Sequence, residues 1–326
     1  MKNFVKIALI VALILVVLGS ACCAVSLGIG FSFDEFWTEV EDGKYSFGPI
    51  ESLSDVAWGN RFNWRDDGES WQSEETEDFI FRWQGEEGAS PVKKLDLEVY
   101  YGSVDIVENT ENQEVIQVTV EYRKKNHRRK VEVLQDGDTL KIVETGSKRS
   151  RNNDSTRITI CIPGAMMEES YRMNELSLKQ GAGDISVYMP LLAEKIDIRV
   201  NAGECQVESK LRALQEFRAD MGTGEMDLSS VDASKVILDA GVGEIETASL
   251  TADEIYVDCG VGSIDAMVDG REQDYNYDIS CNVGEVTIGD NDYAGLGTTK
   301  RIDNSADRRM EIKCNIGEVD ISFRDE

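Results

Sequence analysis

From Gly241 to Ala266 the chain reads GVGEIETASLTADEIYVDCGVGSIDA. Gly-Val-Gly opens the stretch and returns near its end, followed each time at the same distance by isoleucine and an acid. Between the copies, Ile255 and Val257 alternate with polar residues, the period of two required of a strand with one buried face. Working outward, the second glycine of the motif recurs at Gly183, Gly203, Gly224, Gly243, Gly262, Gly284 and Gly317, with a first copy at Gly102. The step is about twenty residues wherever no loop intervenes, and a fixed period of that size marks a repeat architecture.

Aligning the copies on that glycine turns the sequence into columns. Five residues before it stand Leu178, Ile198, Ala219, Leu238, Val257, Ile279 and Ile312; seven before it, Leu176, Ile196, Phe217, Val236, Ile255, Tyr277 and Met310. Both are expected to face inward, as are the columns that begin at Ile185 and Val187 after the glycine. Two residues before it, in the seven copies from Gly183 on, stand Gly181, Asn201, Gly222, Gly241, Gly260, Asn282 and Asn315, the residue types that tolerate a positive φ, so a turn is expected there. Taking Ala182, Ala202, Thr223, Val242, Val261, Val283 and Ile316 as the last inward residues before the glycine, the inward parity slips by one, which predicts a bulge-like bend. The expected fold is all-β, a β-solenoid of stacked strands in which Leu238, Val257 and Ile279 lie on consecutive coils.

The 326-residue chain has 4 prolines, 28 glycines and a formal net charge of −28. So acidic a surface excludes nucleic acid as a partner, because binding it needs a basic footprint. No charged residue occurs from Ile7 to Ile29, a run long enough to span a bilayer. Lys2 and Lys6 precede it and Asp34, Glu35, Glu39 and Glu41 follow, which favours a cytoplasmic N-terminus and an external remainder. The expected organisation is a cytoplasmic segment 1–6, a transmembrane helix 7–29 in contact with the lipid bilayer, an acidic Trp-rich stalk 30–90, and a repeat domain 91–326. Cleavage of the helix, or lipidation at Cys22 or Cys23, is the alternative. Cys161, Cys205, Cys259, Cys281 and Cys314 lack metal-ligand spacing, and four of them fall in inward columns, so buried free thiols are expected.

Trp37, Trp58, Trp64, Trp71 and Trp83 lie in the stalk among acids and glycines without a sustained period. Between Gly102 and Gly183, the segments 115–122, 130–134, 139–144 and 156–162 read as successive strands of an antiparallel meander, with a hairpin turn at Asp136-Gly137. Its tips carry Arg123, Lys124, Lys125, Arg128, Arg129 and Lys130, and Lys148, Arg149 and Arg151. They are solvated loops or a site for an anionic ligand. The outward acids Glu204, Glu225, Asp227, Glu244, Glu246, Glu285 and Glu318 form a ladder whose readings are a solvated face or a weak Ca2+ site.

The succession LDLEVYYGSVDI, VEVLQDGDTLKIVE, RITICIPGAM, then GAGDISV, NAGECQV, GTGEMDL, GVGEIET, GVGSIDA, NVGEVTI and NIGEVDI resembles the bacterial "putative adhesin" family, a domain of unknown function built of β-strand repeats. It covers about residues 92–323. The resemblance implies an extracytoplasmic all-β module, often behind a membrane segment, and carries no catalytic residues. The only histidine, His127, lies in a basic tip, and no nucleophile motif is present. The expected function is therefore that of a non-enzymatic, membrane-anchored envelope protein presenting a binding or scaffolding surface to an envelope polymer or protein. A sensory ectodomain working with another membrane protein is the alternative, and a polysaccharide-active β-helix enzyme a minor one.

Overall fold

The glycine-aligned strands stack in parallel and in register. β2 (Lys94–Glu108) pairs with β7 (Met173–Val187) so that Gly102 faces Gly183, and β7 pairs with β8 (Leu191–Thr251) so that Gly183 faces Gly203. The long β8 winds through further coils that stack on one another. Within it the Ser229 hydroxyl donates to the Val207 carbonyl at 2.7 Å and the Ser234 hydroxyl to the Leu214 carbonyl at 2.9 Å, each about one repeat back. This is a computed structural model; it describes residues 73–85, 90–123, 129–146, 156–293 and 295–324. All belong to one unit, Asp67–Glu326. The run from Ile7 to Ile29, with Cys22 and Cys23, and four of the five tryptophans lie outside the described residues. Among the described residues no helix is long and apolar enough to cross a membrane.

The inward columns form a continuous apolar core. Leu176, Ile198, Phe217, Leu238, Ile255, Ile264 and Met310 are all buried. Burial of branched and aromatic side chains along each column stabilises the stack, at roughly 1.5–3 kcal/mol for each large residue removed from water.

The order of the coils departs from the expectation. Leu238 does face Val257 in β9 (Glu254–Asp269), but the next neighbour of Val257 is Ile312 of β13 (Arg308–Arg324), and only then comes Ile279 of β10 (Tyr275–Ile288). The C-terminal strand is thus inserted between two earlier coils. Two features produce this order. After β10 the chain turns back through β11 (Asn291–Asp292) and β12 (Gly295–Ile302), which pair antiparallel with β10 and occupy its outer edge. The side chains of Val257, Ile279 and Ile312 are also near equivalents, so the column pattern does not encode which coil lies beside which. The return is fixed by Asn276, whose side chain donates to the Ala306 carbonyl at 2.6 Å and accepts from the Asn304 amide at 2.9 Å.

The other end is closed by the excursion between the first two repeats, and it is not a simple meander. β5 (Thr139–Gly146) and β6 (Thr156–Ile162) run parallel to the two halves of β2 and together replace a coil. β4 (Arg129–Asp136) lies antiparallel to β5, and β3 (Val115–Tyr122) antiparallel to β6. Asp136 pairs with Thr139, so the hairpin turn is Gly137-Asp138. The sheet also begins earlier than the repeats. β1 (Glu75–Arg82), within the expected stalk, pairs antiparallel with β3. The Trp83 ring, 5% exposed, meets Tyr171 edge-on at 4.4 Å and donates to the Gln113 carbonyl at 2.8 Å. That tryptophan belongs to the core because its ring closes the end of the apolar interior.

Leu238→Asp places an unpaired charge in this core and is expected to cost several kcal/mol, enough to abolish cooperative unfolding. Val242→Asp, four residues on, is expected to stay within about 0.5 kcal/mol of the parent. Chemical denaturation followed by circular dichroism checks both.

Candidate functional site

At each corner the backbone leaves one sheet face and enters the next, and the side chain that points outward there is not the expected one. Val242, Val261 and Ile316 are 54%, 46% and 51% exposed. They are not the last inward residues before the glycine. That place belongs to the column two residues earlier, Gln180, Val200, Met221, Ala240, Cys259, Cys281 and Cys314, all of it buried. The parity slip is real, but the turn is made by three residues that face out together. The apolar character of the earlier column was the available signal, masked by equally apolar residues at the tip. Because Val261 faces Ile316 and Ile316 faces Val283, the corner carries an apolar ridge of side chains one strand spacing apart, about 4.8 Å.

Carboxylates flank the ridge. Asp184 faces Glu204, Glu285 faces Glu318, and Glu318 faces Ser263, which follows Glu244 in the column. A second row two residues on contains Asp227 and Glu246, with Glu246 facing Asp265 and Asp265 facing Asp320. Crowding is visible in the titration of these groups. Burial, Glu204 and Asp105 push Asp184 up to about 6. Asp227, burial and Glu244 raise Glu225, while burial and Asp320 raise Asp265. Among the described residues no three His, Cys, Asp or Glu side chains gather where they could hold one metal ion. The ladder is a line of carboxylates rather than a cage, and it does not provide the six to eight converging oxygens that calcium takes.

Lys124, Lys125, His127, Arg128, Lys148, Arg149 and Arg151 lie outside the described residues, as do the side chain of Arg129 and its surroundings. Their anchoring strands are described. β3 ends at Tyr122, which faces Thr156, and Thr156 faces Gly102, so both basic segments spring from the corner line. The Tyr122 hydroxyl accepts from the Val131 amide at 3.0 Å and ties β3 to β4 across the first segment.

Elsewhere the surface offers shallow relief. A depression of about 200 Å³ is lined by Lys235, Ile237, Asp239, Tyr256, Glu311 and Lys313. Its aromatic ring is already engaged, with Lys235 at 5.2 Å and Arg309 at 5.3 Å from the centroid. An open groove of about 600 Å³ lies between β1 and β4, lined by Phe79, Val131 and Val133 among charged residues. The described cysteines are free thiols, and Cys259, Cys314 and Cys281 are successive partners in the same row. All three stand three residues before the repeat glycine and so share a column in the sequence; that Cys314 lies between Cys259 and Cys281 depends on the coil order.

The profile of the Toastrack DUF4097 family matches residues 92–322. No curated protein matches the chain. Among solved structures, a putative adhesin from Parabacteroides distasonis ATCC 8503 is similar at 12% identity over 76% of this chain and 97% of that one, with a TM-score of 0.42. A putative cell adhesion protein from Clostridium sporogenes ATCC 15579 is similar at 14% identity over 77% and 99%, with a TM-score of 0.31. A putative lipid binding protein from Parabacteroides distasonis ATCC 8503 is similar at 13% identity over 76% and 97%, with a TM-score of 0.40.

The raised carboxylates set the pH dependence of stability. Asp184 titrates about two units above an unfolded aspartate, so the folded state binds its proton more tightly and stability rises as pH falls from about 7 toward 4. Below that window, stability falls as Asp269, Asp274 and Glu311, held low by hydrogen bonds and cationic neighbours, take up protons. Melting temperatures at constant ionic strength should therefore be higher near pH 5 than near pH 7.5. Asp184→Asn should raise the pH 7.5 value and reduce the difference between the two.

Proposed function

The chain belongs to the Toastrack DUF4097 family, and from that premise we propose that it is a non-enzymatic, membrane-anchored envelope protein whose solenoid presents a binding and scaffolding surface outside the membrane. The observation that carries this reading is the exposed ridge of Val242, Val261 and Ile316. Branched apolar side chains aligned on a rigid corner and bordered by carboxylates are what a docking strip requires: apolar contact at its centre, a charged rim, and little ordering cost on binding. The anchor is the uncharged run from Ile7 to Ile29, and the charges flanking it orient the repeat domain outward. The partner is an envelope polymer or protein with an apolar stripe and a neutral or basic border, since the strip's own border is acidic.

Orientation is checked in a chain whose native cysteines are replaced and whose exposed Asn315 is changed to Cys. An impermeant thiol reagent should label it on intact cells. Labelling only after lysis would overturn the external placement. The strip is checked by Val261→Asp combined with Ile316→Asp, expected to leave the melting temperature within a few degrees of the parent and to abolish cross-links from a photoreactive residue placed at position 242. Unchanged cross-links would remove the ridge from the binding surface.

A further inference from the structure

The row Cys259, Cys314, Cys281 lies directly beneath the corner turn, and all three residues are at most 1% exposed. Cys259 faces Cys314 and Cys314 faces Cys281; the row is bounded by Ala240 beside Cys259 and Thr298 beside Cys281. We propose that Cys259 and Cys314 form a two-coordinate site for a soft monovalent metal ion, with Cu(I) as its occupant.

The argument begins with spacing. In-register parallel strands are about 4.8 Å apart, and two collinear metal–sulfur bonds of about 2.3 Å each span about 4.6 Å. The strand separation therefore matches a linear sulfur–metal–sulfur bridge without moving the backbone. A disulfide fits less well, because it needs Cβ atoms about 3.5–4.5 Å apart, whereas in-register side chains on parallel strands keep close to the strand spacing. A tetrahedral site is excluded by the linear arrangement, since no three ligands converge on one point among the described residues.

Chemistry supports the same ion. Thiolates select Cu(I) over hard cations, and the residues that bound the row, Ala240 and Thr298, bring no carboxylate to it. Binding follows Cu⁺ + 2 RSH → [Cu(SR)₂]⁻ + 2 H⁺, with no change in oxidation state. The complex carries one negative charge in a buried site, which must be offset. The corner supplies the means: the backbone amides of Gly262 and Glu318 donate to the Cys259 sulfur, and the Cys314 thiol hydrogen-bonds to it. The Gly262 and Glu318 amides, which face the Cys259 sulfur, single out the pair Cys259–Cys314 from Cys314–Cys281. Entry is also local, because the turn covering the row is Gly260-Val261-Gly262, with Val261 turned to solvent and no side chain on either flank.

The test uses the full chain with Cys22 and Cys23 replaced by Ser, reduced and anaerobic, titrated with Cu(I) against a colorimetric Cu(I) chelator. One equivalent should bind, with X-ray absorption reporting two sulfur neighbours and neither oxygen nor nitrogen. Cys259→Ser and Cys314→Ser should each weaken binding by about 100-fold or more, while Cys281→Ser and Cys205→Ser leave it unchanged. If either ligand variant fails to fold by circular dichroism, the metal-loaded parent is unfolded in denaturant beside the metal-free chain, and two fewer thiols should react with a thiol reagent. Equal thiol counts, binding retained in a folded Cys314→Ser chain, oxygen or nitrogen coordination, or a Cys259–Cys314 disulfide in the purified chain would each overturn the site.

Discussion

The structure depends on a contact between backbones at the corner of every coil. In the turn around Gly224, the carbonyl oxygen of Gly203 on the coil below occupies the space where a Cβ would stand; at Gly203 the carbonyl of Gly183 does the same. The φ angles there are +129° and +137°, a region that side chains disfavour. Only glycine lets successive coils come within strand spacing while the chain changes direction. The period of the sequence is therefore the period of these close approaches, and register follows from them. With glycine over glycine, every column before and after the corner falls into line.

That constraint also divides inside from outside. The three-residue turn points its middle side chain to solvent, so a valine or isoleucine at this place becomes part of a ridge and not of the core. The residue immediately before the turn is driven inward beneath it, which is how three thiols come to lie in one row. The acidic residues after the turn are brought within one strand spacing of each other, and burial together with their mutual repulsion raises the titration of Asp184, Glu225 and Asp265. Apolar ridge, thiol row and acidic ladder are three consequences of the same stacked corner.

Much of this was legible in the sequence. The glycine period and the two-residue alternation locate the strands of the repeats, and the inward columns led by Leu176, Leu178, Ile185 and Val187 are buried. Three things were not legible. Whether Val261 or Cys259 is the last inward residue could not be read from hydrophobicity, because both are apolar and only the turn geometry separates them. The insertion of β13 between β9 and β10 could not be read from columns that are chemically interchangeable; it is set by the hairpin that occupies the outer edge of β10. The replacement of a coil by β5 and β6 requires pairing between distant segments, whereas local alternation is the same for a meander and for a capped solenoid.

The most direct test of the corner contact is the equilibrium unfolding free energy of Gly224→Ala compared with Gly137→Ala. Gly137 has a φ of +63° in a hairpin turn, and a methyl group there would meet nothing within 4 Å. Both substitutions introduce backbone strain of about 1–3 kcal/mol, but only Gly224→Ala drives a methyl group into the backbone of the adjacent coil. The account predicts that Gly224→Ala loses at least about 3 kcal/mol more than Gly137→Ala, or fails to fold. Equal losses at the two positions would contradict it.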